Sequence, residues 1–416
     1  MTAFDPWSSC VAAPPDPILA LAAEFANDPL PNTEKANLGV GAYRDEEGNP
    51  WILPVVRKAE QEIVSDPSMN HEYLPIAGYA PFLQASARLL FGKDAKIINE
   101  GRLATNQTIS GSGANHLGAE FVQRFYPFPT ERKVIYVTDP TWPNHFAIFR
   151  GGGLETETYT YYDPKHYALD FEGMIKALLG MPDRSVVLLH ACAHNPSGVD
   201  PTQEQWQQIA AVFQKKQHFA FFDSAYQGFA SGDFDRDAYA VRYFADHDIP
   251  MLVCQSFAKN AGLYGERIGA LHVPVKSSSE VAPVHSQLNS IQRSELSSMP
   301  AFGARIVAKL INNPEFFAEW QQNVKTMAGR IEEMRKALYS LLVDELKTPG
   351  SWKHILEQTG MFSFLGLDKQ QCARLVKEGH IYLVATSRIS MAGLNKYNLK
   401  LVATWIDRVV RSETKL

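Results

Sequence analysis

Ser256-Phe257-Ala258-Lys259-Asn260-Ala261-Gly262-Leu263-Tyr264-Gly265-Glu266-Arg267-Ile268-Gly269 sets one lysine and one arginine among small residues, between two apolar runs at 251–256 and 268–273. Burial at a strand end disfavours the ammonium form of a lysine. The neutral amine can then form an imine with an aldehyde. Arg267, eight residues beyond Lys259, suits a phosphate dianion. Taken alone, the pair is equally a surface lysine and a salt-bridged arginine.

The surroundings weigh against that plainer reading. Short runs rich in Val, Ile, Leu and Phe recur at 133–139, 185–193, 218–223, 251–256 and 268–273. They are continuous rather than alternating, as strands buried on both faces are. Helical patterns such as 203–216 separate most of them. The expected fold class is therefore α/β, a mostly parallel sheet flanked by helices. Polar residues follow four of the runs: Asp139, Trp142 and His145; His194 and Asn195; Asp223 and Tyr226; Ser256 and Lys259. Ligands of open parallel sheets bind outside the carboxyl ends of the strands, so these ends should converge on one site.

Ser110-Gly111-Ser112-Gly113-Ala114 opens a helical pattern that runs to Phe125. Free N–H groups and the helix dipole make such a start a phosphate site, although a tight loop has the same composition. It also resembles a dinucleotide fingerprint, but the preceding run is poor in strand formers. No H-E-x-x-H or C-x-x-C occurs, which argues against metal-dependent hydrolysis.

From 314 onward, Phe317, Trp320, Val324, Met327, Ile331, Met334, Leu338 and Leu341 alternate spacings of 3 and 4, the apolar face of one long helix. Strand candidates at 361–365 and 381–385 and a C-terminal helix follow, and a smaller α/β domain is expected here. Asp45-Glu46-Glu47-Gly48-Asn49 reads as a hairpin-like turn. The expected division is an arm at 1–14, a small domain at 15–49 and 326–416, and a large cofactor-binding domain at 50–325.

A length of 416 residues calls for more than one core. The net charge of -5 offers no global field for nucleic acid. Four scattered cysteines give no disulfide framework and fit a reducing compartment. No apolar stretch reaches the ~18 residues of a membrane span. No Lys or Arg precedes Lys35, against a secretory signal or a basic presequence. A cytoplasmic location is expected. Thr414-Lys415-Leu416 approaches a peroxisomal address, although so short an ending arises readily by chance.

The segment around Lys259 resembles the lysine signature of the class I pyridoxal-phosphate-dependent aminotransferases. Asn37-Leu38-Gly39-Val40-Gly41-Ala42-Tyr43-Arg44 is similar to the family's substrate-contact segment. Glu72-Tyr73-Leu74-Pro75-Ile76-Ala77-Gly78 resembles its inter-subunit phosphate segment. His194-Asn195-Pro196-Ser197-Gly198 and Asp223-Ser224-Ala225-Tyr226-Gln227-Gly228 resemble two further motifs. The matches keep the family's order and resemble most its aspartate aminotransferase branch. The resemblance implies the fold-type I architecture, pyridoxal 5'-phosphate as cofactor, and a homodimer with shared active sites. It also implies a ping-pong exchange in which aspartate and 2-oxoglutarate give oxaloacetate and glutamate.

It further implies roles. Lys259 is expected as the Schiff-base lysine and as the base moving a proton from the substrate Cα to the cofactor C4′. Asp223 should pair with the pyridinium nitrogen, oriented by His145. Tyr226 and Asn195 should donate to the ring's phenolic oxygen, and Trp142 should stack on the ring. Gly111, Ser112, Ser256 and Arg267, with Tyr73 from the partner subunit, should hold the phosphate. Gly41, Trp142, Asn195 and Arg388 should contact substrate, Arg388 through the α-carboxylate. Arg293 from the partner should take the distal carboxylate, two planar forks for two carboxylates.

Some positions depart from the family pattern. Ser112 and Ser197 replace Thr and keep a hydroxyl. Ser387 replaces a Gly before Arg388. Leu296-Ser297-Ser298-Met299-Pro300 replaces W-S-N-P-P near Arg293, and Leu296 and Met299 would suit a pocket tolerant of aromatic side chains. Alternatives are an aromatic or broad-specificity aminotransferase and a non-catalytic cofactor-binding protein on the same fold.

Overall fold

The polar strand ends meet because the runs pair side by side. A computed structural model describes residues 5–412; the Thr414-Lys415-Leu416 ending and the first residues of the expected arm lie outside them. The central sheet has seven strands: β1 (Leu103–Ile109), β2 (Val134–Asp139), β3 (Glu155–Thr160), β4 (Val186–His190), β5 (Phe219–Ser224), β6 (Met251–Ser256) and β7 (Ile268–Pro274). Their order is β1-β7-β6-β5-β4-β2-β3, and β7 pairs antiparallel with both neighbours while the other pairs are parallel. Val186–His190 and Met251–Ser256 are buried at every residue, which explains their unbroken apolar character. One apolar cluster, with Trp206, Phe213 and Phe244, covers one side of the sheet, and a second, with Leu117, Phe149 and Leu288, gathers around other sheet residues.

The run before Ser110, poor in strand formers, is nonetheless a strand. Leu103-Ala104-Thr105-Asn106-Gln107-Thr108-Ile109 is a full strand. Its Asn106 and Gln107 are buried and engaged: Asn106 Nδ2 donates to Gln292 Oε1 at 2.9 Å and Gln107 Nε2 to the Pro300 carbonyl at 2.7 Å. Tertiary hydrogen bonds override weak strand propensity here. α2 (Ser110–Phe125) begins directly at its end.

The expected helix 203–216 is α3 (Gln203–Lys216), fixed by a capping box in which Thr202 and Gln205 exchange hydrogen bonds. α4 (Val281–Glu295) packs on β1 and α2. The long helix is α5 (Pro314–Ser340), begun by Asn313, whose side chain accepts from Glu315 N and Phe316 N. Its stripe from Trp320 to Leu338 is buried, but Phe317 and Leu341 are half-buried and Phe316 and Leu342 take their places.

The remaining elements close around α5. α1 (Pro17–Asn27) leads to Ala36–Asn37, which pairs in parallel with Ile381–Tyr382. The strand expected at 381–385 is thus only two residues long. β8 (Phe362–Phe364) pairs antiparallel with β9 (Arg388–Ser390), and α6 (Leu399–Arg411) completes the chain. One core joins Ala36 and Leu38 to Ile331, Ile389 and Ile406. Residues 5–17 are exposed. The turn at 45–49 closes through Asp45 N–H to the Asn49 carbonyl at 2.9 Å. Among the described residues, no helix is long and apolar enough to cross a membrane.

Candidate active site

The carboxyl ends of β1, β4, β5 and β6 open onto one cavity of about 270 Å³. β7 runs the other way, so its start lies at the same edge, and Arg267 just before it faces the same cavity. Gly41, Gly111, Ser112, Trp142, Asn195, Asp223, Tyr226, Ser256, Lys259, Arg267 and Arg388, all anticipated from sequence, line it.

At one end, α2 points its N-terminus into the cavity. Ser110 Oγ and Ser256 Oγ lie 3.1 Å apart, and Ala258 N donates to Ser256 Oγ at 3.2 Å. A Cβ on Gly111 would stand 3.1 Å from Ser256 Cβ, so glycine keeps this floor open. Free N–H groups at the start of a 16-residue helix, two hydroxyls and Arg267 form an anion cradle.

Asp223 closes β5 at the other end. His145 Nε2 lies 3.0 Å from Asp223 Oδ2, and His145 Nδ1 lies 2.8 Å from Thr141 Oγ1. Burial raises the Asp223 carboxyl, but the bond and charge of His145, with the charges of His190 and Lys259, outweigh it and hold the group below the usual carboxylate range. Asp223 Oδ1 is buried with no partner. An ionised oxygen aimed at a cavity and lacking a donor fits a protonated ring nitrogen.

Lys259 Nζ sits 5.2 Å from the Tyr226 ring centroid. Burial draws its ammonium down, Asp223 opposes this and Arg267 adds to it; the net shift is downward. Burial pushes the Tyr226 phenol up, so it stays protonated, and Asn195 Nδ2 approaches its oxygen at 3.5 Å. Arg388 is buried, with Nη2 donating to the Gly39 carbonyl at 2.7 Å and Nη1 lying 3.5 Å from Asn195 Oδ1. Its guanidinium lies 4.2 Å from the Phe362 ring centroid, and a Cβ on Gly41 would meet Phe362 Cζ at 2.8 Å. Ser387, where the family has glycine, takes the glycine-like φ of 66° and anchors it through Oγ accepting from Leu367 N at 3.0 Å.

Several features differ from the sequence reading. His145 is wholly buried behind Asp223, outside the lining. His194, expected at the edge, is buried between Thr138 Oγ1 at 3.0 Å and Ser197 Oγ at 2.7 Å. Tyr73 is 84% exposed and Arg293 is exposed, and neither lines the cavity of its own chain. Sequence reasoning missed His190, Cys192, Ser110 and Phe362 in the lining. His190 ends β4, and the strand-end rule that picked out Asp223 would have found it. Phe362 carried no local signal.

An anion cradle, a buried lysine with a depressed ammonium and an unpartnered carboxylate oxygen in one cavity are a set of groups that fits a phosphorylated aldehyde. The family model for aminotransferase class I and II matches residues 33–406, and the chain belongs to that family. It is 48% identical over 95% of its length, and 96% of the relative's, to a protein of Schizosaccharomyces pombe named aspartate aminotransferase, cytoplasmic. Among solved structures it is similar to the aspartate aminotransferase of Saccharomyces cerevisiae cytoplasm, at TM-score 0.93 and 45% identity over 98% of this chain and 99% of that one. It is also similar to an aromatic-amino-acid aminotransferase of Burkholderia pseudomallei covalently bound to pyridoxal phosphate, at TM-score 0.93 and 40% identity over 98% of this chain and 100% of that one. The family's cofactor is pyridoxal phosphate, and the cradle and the orphaned Asp223 oxygen fit its phosphate and its ring nitrogen.

Proposed function

We propose that the protein transfers the amino group of aspartate to 2-oxoglutarate, giving oxaloacetate and glutamate. The observation that carries this reading is the pairing, in one cavity, of Lys259 with its depressed ammonium and a buried, charged Arg388. The names of the yeast relatives support it.

Pyridoxal phosphate supplies a carbonyl that takes up amines and a ring that spreads negative charge from the substrate carbon. The protein does the rest. Lys259 Nζ, whose ammonium burial disfavours, would be the group that accepts the proton of the substrate Cα. Asp223, held below the usual carboxylate range, would pair with the ring nitrogen and keep a proton there. His145 fixes the carboxylate; with Asp223 charged, its Nε2 carries the hydrogen and its Nδ1 faces Thr141. The Tyr226 hydroxyl and Asn195 would donate to the ring's phenolic oxygen, and Trp142 would pack against the ring. Gly111, Ser112, Ser256 and Arg267 would hold the phosphate. Arg388 takes the α-carboxylate beside Gly41.

We also read the protein as a homodimer in which Tyr73 and Arg293 complete the partner's site. Their exposure and their absence from their own cavity support this. The arm, the small domain at 15–49 and 326–416, and the large domain at 50–325 follow the same plan, supported by the pairing of Ala36–Asn37 with Ile381–Tyr382. A cytoplasmic location accords with the name of the S. pombe relative. A second reading, broad or aromatic specificity, is favoured by the 44% exposed Leu296 three residues from Arg293. Relative rates with aspartate and phenylalanine test the choice: a large preference for aspartate supports the first reading, and equal rates support the second.

A further inference from the structure

A second cavity, of about 560 Å³, lies between three walls. One is the segment that follows Tyr226, at 229–236, which runs into the short helix Phe234–Asp237. The second is a face of α5 carrying Lys325, Glu332, Arg335 and Lys336 at helical spacing. The third is the loop 356–360, just before β8. Four cations line it, Arg236, Lys325, Arg335 and Lys336, against one carboxylate, Glu332, which pairs with Lys336 at 2.5 Å. Among the described residues, Arg236, Lys325 and Arg335 have no carboxylate within ion-pair distance. A cavity of this size suits a small ligand.

Its interior is built rather than incidental. Arg335 is only 4% exposed, and its guanidinium donates to the carbonyls of Ile355 at 3.1 Å, Gly360 at 2.9 Å and Phe362 at 2.6 Å. Those are neutral partners, and Arg335 Nε is buried with none. Burial pulls this arginine down to about 9, as expected for a charge without a counter-charge. Gln358 is only 2% exposed. Its Oε1 accepts from Ser363 Oγ and from Phe364 N at 3.1 Å, while its Nε2 is buried without a partner. Two buried donors and an uncompensated positive charge call for an anion.

We propose that this cavity binds a small multivalent anion, carrying carboxylates or phosphates, with Arg335 and Gln358 as buried donors and Arg236 and Lys325 at the mouth. Occupancy adjusts the active site through Arg335, because the Phe362 carbonyl that Arg335 holds belongs to the residue packed against Gly41 and Arg388. Binding does not depend on which amino acid the enzyme prefers.

The test is titration calorimetry of the holoenzyme with citrate and, separately, with pyrophosphate. The wild type is compared with the double variant Arg236→Ala, Lys325→Ala, both positions being exposed. The wild type should bind at least one probe, citrate alone marking a carboxylate site and pyrophosphate alone a phosphate site. The double variant should bind about tenfold more weakly or worse, as the loss of charged contacts predicts. The bound probe should also change the KM for aspartate in the wild type and not in the double variant. No binding of either probe, or equal binding by both proteins, overturns the site. Binding that leaves KM unchanged overturns the coupling to the active site.

Discussion

Asp223 and His145 are joined by one 3.0 Å contact that engages a single carboxylate oxygen, Oδ2, and leaves Oδ1 buried and unpartnered beside the cavity. The histidine thus sets both the charge and the direction of the free oxygen. Asp223→Ala should lower kcat more than it lowers cofactor affinity, since the phosphate cradle is untouched. Each pKa unit lost at the ring nitrogen is worth ~1.4 kcal/mol. Steady-state kinetics at saturating cofactor check this; unchanged kcat would show that the carboxylate has no part in the chemistry.

Lys259→Ala should abolish turnover while the protein still takes up pyridoxal phosphate. Loss of a general base alone is worth roughly 10²–10⁴-fold. Cofactor retention after gel filtration, read beside the rate of oxaloacetate formation, separates binding from chemistry. A variant with near wild-type transamination contradicts the role.

Arg388→Ala should damage aspartate and phenylalanine alike, because both carry an α-carboxylate. Arg293→Ala should cut kcat/KM for aspartate by one to several decades, a charged hydrogen bond being worth ~1.5–3 kcal/mol and a decade ~1.4 kcal/mol. The rate with phenylalanine should hold or rise. If Arg293→Ala weakens both substrates equally, Arg293 is structural and the broad-specificity reading gains.

Stability should fall with acid through buried neutral histidines. Burial pushes His272 down to about 3; burial and the charge of His145, against the pull of Asp223, bring His190 to about 3 as well. In the unfolded chain each titrates near ~6.5. Below that value the unfolded state takes up protons that the folded state refuses, so stability is full above ~6.5 and declines by ~1.4 kcal/mol per pH unit per histidine as pH falls toward the folded value. His272→Gln should make the decline in urea midpoint between about pH 7 and about pH 5 shallower. An identical decline in the variant would contradict this origin.

The sheet and much of the cavity were legible because apolar runs and strand-end polar residues are local signals. Lys259, Asp223, Tyr226 and Ser256 lie within three residues of a strand's last turn-facing position, where the sequence shows them directly. What stayed hidden depends on distant partners. β1 reads as a poor strand because its Asn106 and Gln107 are satisfied by Gln292 and Pro300, far along the chain. Phe362 enters the lining only through the pairing of β8 with β9. Arg335 lies off the apolar stripe of α5 and carries no local sign of burial, yet it is buried because its guanidinium donates to the carbonyls of Ile355, Gly360 and Phe362, brought over it from later in the chain.

The most direct measurement is the visible absorbance of the purified protein as aspartate and then 2-oxoglutarate are added in turn. The account predicts a band that shifts on aspartate, with one oxaloacetate released per site, and that returns on 2-oxoglutarate with one glutamate. A spectrum indifferent to aspartate, or a shift without oxaloacetate, would contradict it.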